Sequence, residues 1–284
     1  MAALALIGAL ALALRIWALD FGLPSGLHPD EFSFVFIPLN FFSGDLNPHF
    51  FTYPTFHYYL LALVYLGCFT WEYLFGAGLS LEHFIALHYF WERGQLLELA
   101  RWVSALYGAA TVVWAGLLAR RVFGARAGWM AACWLAVGVV HLRQSYLAGV
   151  DAAMTCFFVG AVWAAVRILQ RDGMRDYVLA GGLVGLAAAC KYPGALAGIA
   201  VVAAHLLARR SPLARGLWLS GAAALRVFAF CSPYVLLDFG AFESHFSAQV
   251  AQMKRGTAGC STCASACRST GGGWRWCCWV KEAM

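Results

Sequence analysis

Apolar residues fall in long blocks bounded by charge: Ala2–Leu19 (interrupted by Arg15), Trp102–Ala119, Gly128–Val140, Ala152–Ile168, Val178–Cys190, Pro193–Ala208 and Leu217–Leu237. None shows the ten-residue alternation of a barrel strand, so the blocks predict helices. Lys191-Tyr192-Pro193-Gly194 interrupts one long apolar stretch and predicts two short helices meeting at a turn. Pro54–Phe75 and Leu79–Trp91 are also apolar, but rich in Tyr, Phe and Trp, which suits the membrane–water interface.

Composition converts these helices into spans. Hydrophobic residues make up 62% of 284, charged residues 12%, and mean hydropathy is +0.69. A soluble domain of this length cannot hide that much apolar surface, and a disordered chain lacks it. With ~20 residues per crossing, the content suits about six to eight helices. The expected fold is an all-α, polytopic membrane bundle of about seven spans, with juxtamembrane helices in the first outer loop.

Charge sets the direction. Arg120, Arg121 and Arg126 share one short loop, Arg167, Arg171 and Arg175 a second, Arg209, Arg210 and Arg215 a third. By the positive-inside rule these are cytoplasmic, and the alternate loops are outside. With Ala2–Leu19 crossing outward and Trp102–Ala119 inward, Pro54–Phe75 cannot be a simple span. It is read as a juxtamembrane helix in preference to one that enters and returns with Leu79–Trp91. Ala2–Leu19 lacks a basic leader and a cleavage site, so it reads as a retained first helix. The net charge of +6 is explained by the cytoplasmic loops and implies no nucleic acid.

The composition changes after Arg255. Residues 256–284 are Gly-, Ser- and Cys-rich, with Cys260, Cys263, Cys267, Cys277 and Cys278. No His accompanies these cysteines, so a metal site is the weaker reading. The segment reads as a disordered tail, a composition that out-of-frame translation of GC-rich DNA also gives. Cys68, Cys133, Cys156, Cys190 and Cys231 lie scattered in apolar sequence and read as packing residues.

Candidate chemistry lies in the outer loops. Asp30 and Glu31 sit in His28-Pro29-Asp30-Glu31 among Phe21, Phe32, Phe34 and Phe36, a setting that desolvates a carboxylate. Asp151 starts the Ala152–Ile168 helix, after His141, Arg143 and Ser145, where capping is the plain alternative. Lys191 sits at an outer turn, placed either to snorkel or to meet a phosphate headgroup.

The order of these elements resembles the lipid-carrier-dependent glycosyltransferases of the GT-C fold, which include the protein O-mannosyltransferases, the aminoarabinose transferase of lipid A and the Rgt-type bacterial galacturonosyltransferases. The resemblance rests on Asp30-Glu31, Asn47-Pro48 to Tyr53-Pro54, Arg101-Trp102-Val103-Ser104-Ala105-Leu106, Arg121-Val122-Phe123-Gly124, Asp151, and Gly185-Leu186 to Lys191. It implies a module over residues 1–255, incomplete relative to the family, which usually continues through further spans. The implied activity is inverting transfer of a sugar from a polyprenyl-phosphate donor to a lipid, glycan or protein acceptor at the outer face of a bacterial plasma membrane. Asp30 resembles the catalytic base and Glu31 a residue shaping the acceptor site. Lys191, Asp151, His141 and Tyr53 are the expected substrate- and phosphate-binding set. Tyr53 stands where some relatives carry a Lys, which argues against an aminoarabinose-type donor.

The chemistry asks for little else. A polyprenyl phosphate is already a good leaving group, so one base and one cation suffice. No cofactor is required; a divalent ion held by Asp30, Asp151 or His141 is compatible with the residue types but not demanded. The competing readings are a transporter or flippase, and an inactive truncated relative. A transporter would place its polar groups at mid-membrane in repeated halves; only one broken helix, at Lys191, is evident.

Overall fold

The computed structural model describes residues 2–17, 19–76, 78–171, 173–208, 211, 215–251 and 254. The tail cysteines and the Arg209–Arg210 pair lie outside the described residues.

The described secondary structure is helical. In chain order the helices are α1 (Ala2–Ile16), α2 (Ser33–Asn40), α3 (Phe56–Phe75), α4 (Leu81–Phe90), α5 (Arg93–Phe123), α6 (Ala125–Val137), α7 (Val139–Ser145), α8 (Asp151–Arg171), α9 (Met174–Cys190), α10 (Ala197–Leu207), α11 (Arg215–Cys231) and α12 (Tyr234–Leu237). Short 3-10 turns at Pro29–Phe32, Phe41–Ser43 and Tyr192–Leu196 link them. The chain folds as two units. Among the described residues, one comprises those within 2–48 and 53–237, and the other 49–52 with those within 238–254. In the second unit the segment 239–251 is helical, and the Phe51 N–H donates to His245 Nδ1 at 3.1 Å. All the candidate site residues belong to the first unit.

Packing partners fix the helix directions. α1 runs antiparallel to α5, with Leu4 beside Gly116, Gly8 beside Val113 and Arg15 beside Gly108. α6 folds back on α5, with Gly128 against Gly116 and Arg120. α8 runs alongside α5 in the same direction, pairing Tyr107 with Phe157 and Trp114 with Trp163. α9 returns along α8, with Leu183 beside Gly160 and Asp176 ion-paired to Arg167. α10 reverses again: Gly194 meets Ala187, Gly198 meets Val184, and Tyr177 hydrogen-bonds His205. α11 then runs parallel to α9. Hence α1, α5, α6, α8, α9, α10 and α11 alternate in direction. The Arg-rich connections gather at one end of this bundle, and Asp151 and Lys191 at the other.

Several boundaries differ from those read off the sequence. α5 starts at Arg93, well before Trp102; at ~1.5 Å per residue its 31 residues span about 46 Å, against a hydrocarbon core of ~30 Å. The Gly128–Val140 block breaks at Gly138, where α7 bends 63° from α6. The Leu217–Leu237 block ends its helix at Cys231 because Ser232-Pro233 follows; proline disfavours α geometry before it and offers no N–H. By length and composition α3, α5 and α8 are each able to cross a membrane. α3, however, packs antiparallel to the N-terminal third of α5. The Tyr65 hydroxyl donates to the Leu96 carbonyl at 3.1 Å, and Gln95 Nε2 donates to Glu72 at 3.0 Å.

Glycine sets the closest helix approach. A Cβ added at Gly181 would lie 2.1 Å from the Ser220 carbonyl oxygen, and one at Gly185 2.5 Å from that of Ala224. The four-residue spacing places both on one α9 face, as in small-xxx-small packing. Because backbone, not a flexible side chain, occupies the space, Gly181→Val should force α11 away and cost about 1–3 kcal/mol. A thermal-unfolding midpoint equal to wild type in the same detergent would contradict this close packing.

Candidate active site

The site is built on one buried ion pair. Arg101, near the start of α5, and Glu31, in the 3-10 turn after His28, are both fully buried. Arg101 Nε donates to Glu31 Oε1 at 2.9 Å and Nη2 to Oε2 at 3.0 Å. The remaining Arg101 nitrogen, Nη1, donates to the carbonyls of Leu19 and Phe21, both at 2.7 Å. Glu31 also accepts the N–H groups of Leu27 at 2.6 Å, His28 at 3.2 Å and Ala148 at 2.9 Å. Burial alone would raise the Glu31 pKa, but the hydrogen bonds from Arg101, Leu27 and Ala148 outweigh it and hold the carboxyl below its ordinary value. This cluster ties the chain after α1, the 27–31 turn and the loop before α8 to α5.

Asp30, the residue before Glu31, points the other way. Its side chain is 49% exposed and its Oδ2 accepts from the Tyr53 hydroxyl at 2.9 Å. The Tyr53 ring stacks on Phe34 at 5.9 Å. Burial, with the Asp30 charge adding to it, raises the phenol pKa, so Tyr53 keeps its proton and acts as a donor. Lys191 follows the C-terminus of α9. Its Nζ lies 5.7 Å from the centre of the Tyr53 ring and donates to Asp151 Oδ1, at the first residue of α8, at 2.7 Å. Gly194 holds the Lys191 turn against α9; a Cβ there would sit 2.2 Å from the Ala187 carbonyl oxygen. Thus Asp30, Tyr53, Lys191 and Asp151 form one contiguous chain of contacts.

A cavity of about 180 Å³ opens beside Asp30, with His28, Phe34, Tyr53, Arg143, Gln144 and Asp151 in its wall. Glu31 and Lys191 are not among its lining residues. The expectation that Glu31 shapes the acceptor surface therefore changes: its carboxylate is enclosed and consumed by Arg101. His141 stays near Asp151: its Nδ1 is 2.8 Å from Arg15 Nη2, and it lines a second cavity, of about 250 Å³, together with Gln144, Ser145, Asp151 and Thr155. Among the described residues no three His, Cys, Asp or Glu side chains are arranged to hold a metal ion.

Sequence reasoning missed the Glu31–Arg101 pairing and the presence of Arg143 in the cavity wall. The first had a signal: Arg101 is an isolated charge leading an apolar block, and such a charge needs a partner. The second had none, because α7 is a bend that periodicity does not reveal.

These features define a class: a helical multi-pass membrane protein whose polar site lies at one end of the bundle. The sequence profile of the dolichyl-phosphate-mannose-protein mannosyltransferase family matches residues 84–236, more than half of the chain, and the chain belongs to that family. It is a membrane glycosyltransferase of the GT-C type. Arg101, Arg143, Asp151 and Lys191 lie inside the matched segment; Asp30, Glu31 and Tyr53 precede it. No curated protein and no solved structure matches the chain.

Proposed function

We propose that the protein transfers a sugar, with inversion, from a polyprenyl-phosphate carrier to an acceptor hydroxyl at the outer face of a bacterial plasma membrane. The observation carrying this reading is the shared contact on Tyr53, with Asp30 at its hydroxyl and Lys191 over its ring. Asp30 takes the acceptor proton as its oxygen attacks the anomeric carbon. The bond from that carbon to the carrier phosphate breaks, and its electron pair leaves on the phosphate oxygen. Lys191 neutralises that charge, so the donor phosphate displaces Asp151 as its partner. Asp151 positions the amine beforehand, and Glu31 acts through the backbone, by fixing the turn that presents Asp30. The outward direction follows from the arginine-rich loops at the far end of the bundle.

The test uses purified protein in lipid nanodiscs, with farnesyl-phosphate-linked sugars as donors and release of farnesyl phosphate as the readout. Wild type should turn over, and Lys191→Gln should raise the donor KM by about ten- to a hundredfold, the loss of one charge-assisted contact. A donor KM unchanged by this substitution would remove Lys191 from the phosphate site. Movement of the intact donor across the bilayer without release of farnesyl phosphate would instead favour a flippase.

A further inference from the structure

The cavity beside Asp30 contains a cation that the transfer chemistry has not used. Arg143, at the end of α7, lines it and is exposed. Among the described residues its guanidinium has no hydrogen-bond or ion-pair partner, although the carboxylates of Asp30 and Asp151 line the same cavity. The other cations around the site are committed: Arg101 to Glu31, Lys191 to Asp151, Arg15 to His141 and to the Ala11 carbonyl at 2.7 Å. Gln144 stands next to Arg143 in the cavity wall with its amide also unpartnered among the described residues. Lys191 reaches Tyr53 and Asp151 without lining this cavity. On the proposed reaction the cavity in front of Asp30 is therefore the acceptor side, and the Lys191 side belongs to the donor.

We infer that the acceptor is anionic: a hydroxyl compound whose phosphate or carboxylate group binds Arg143, assisted by Gln144, while its hydroxyl meets Asp30. A planar guanidinium with all five N–H donors available suits a bidentate oxyanion. Asp30 is engaged by Tyr53 and Asp151 by Lys191, so neither carboxylate occupies the guanidinium and its donors stay open to a ligand oxyanion. The inference rests on the functional reading above for its assignment of sides, but not for the anion site itself.

The experiment uses the full chain in phosphatidylcholine nanodiscs, a zwitterionic surface that adds no competing anion. The probes are sn-glycerol 3-phosphate, glycerol and farnesyl phosphate, each followed by saturation-transfer NMR. Glycerol 3-phosphate should bind while glycerol does not. Arg143→Gln should weaken the phosphate probe by at least about tenfold and Arg143→Lys should restore part of the affinity, whereas Lys191→Gln, which frees the Asp151 carboxylate in the same wall, should weaken it much less than Arg143→Gln does. Farnesyl phosphate should respond in the opposite way, weakened by Lys191→Gln and indifferent to Arg143→Gln. The inference is overturned if wild type does not bind glycerol 3-phosphate, if it binds glycerol equally, or if Arg143→Gln binds the phosphate probe as wild type does. It is also overturned if Arg143→Gln abolishes farnesyl phosphate binding, because Arg143 then serves the donor. If wild type binds glycerol 3-phosphate through Arg143 but not farnesyl phosphate, the donor reading fails and the anion site stands.

Discussion

Asp30→Asn should lower kcat for sugar transfer by about 10²–10⁴-fold with the donor KM little changed, the range for removing a positioned general base. The substitution preserves size and the capacity to accept from the Tyr53 hydroxyl, so the local hydrogen bond survives. What disappears is the proton acceptor, and only in the step where the acceptor hydroxyl loses its proton. Single-turnover measurement with preloaded donor separates this from binding. Transfer by Asp30→Asn within a few-fold of wild type would take the base role from Asp30 and leave Asp151 as the other carboxylate lining the cavity.

Glu31→Gln should act on stability. It leaves Arg101 charged and buried without its carboxylate, a loss of about 3–5 kcal/mol for breaking such a pair. Replacing both partners, as in Glu31→Gln with Arg101→Met, should cost less than the sum of the single changes, because no uncompensated charge remains. The pH dependence has a definite sign. Because the Glu31 pKa is lowered in the folded protein, the carboxylate stabilises fully above its ordinary value of 4.5, and that contribution is lost as pH falls through the lower folded value. Wild-type unfolding temperature should drop below about pH 4.5. In Glu31→Gln that part of the acid sensitivity should vanish; an identical acid limb in both proteins would show that this pair does not govern it.

The parts legible in the sequence are those set by one-dimensional signals. Apolar block length and arginine placement were enough for an all-helical bundle whose Arg120–Arg126 and Arg167–Arg175 connections share one end. The Pro-Gly break after Lys191 was enough for the α9–α10 hairpin. Three-dimensional partnering was not legible. Asp30 and Glu31 are neighbours of the same chemical type, yet one is half-exposed at a cavity and the other is locked against α5. Only the fold separates them, by the direction each leaves the turn. His141 and Asp151, near in sequence, line one cavity, but the His141 ring is also held by Arg15, a partner that no sequence signal reveals. Arg143, two residues further on, lines the cavity beside Asp30.

Tyr53 has a consequence for how charge is stored. A carboxylate and an ammonium free to meet would quench each other, and neither would be available to a ligand. Here an aromatic spacer that retains its own proton holds the acid at its hydroxyl and the amine over its face, while Asp151 satisfies the amine. The Asp30 carboxylate is thereby kept out of contact with Lys191, whose charge is met in a contact ion pair by Asp151.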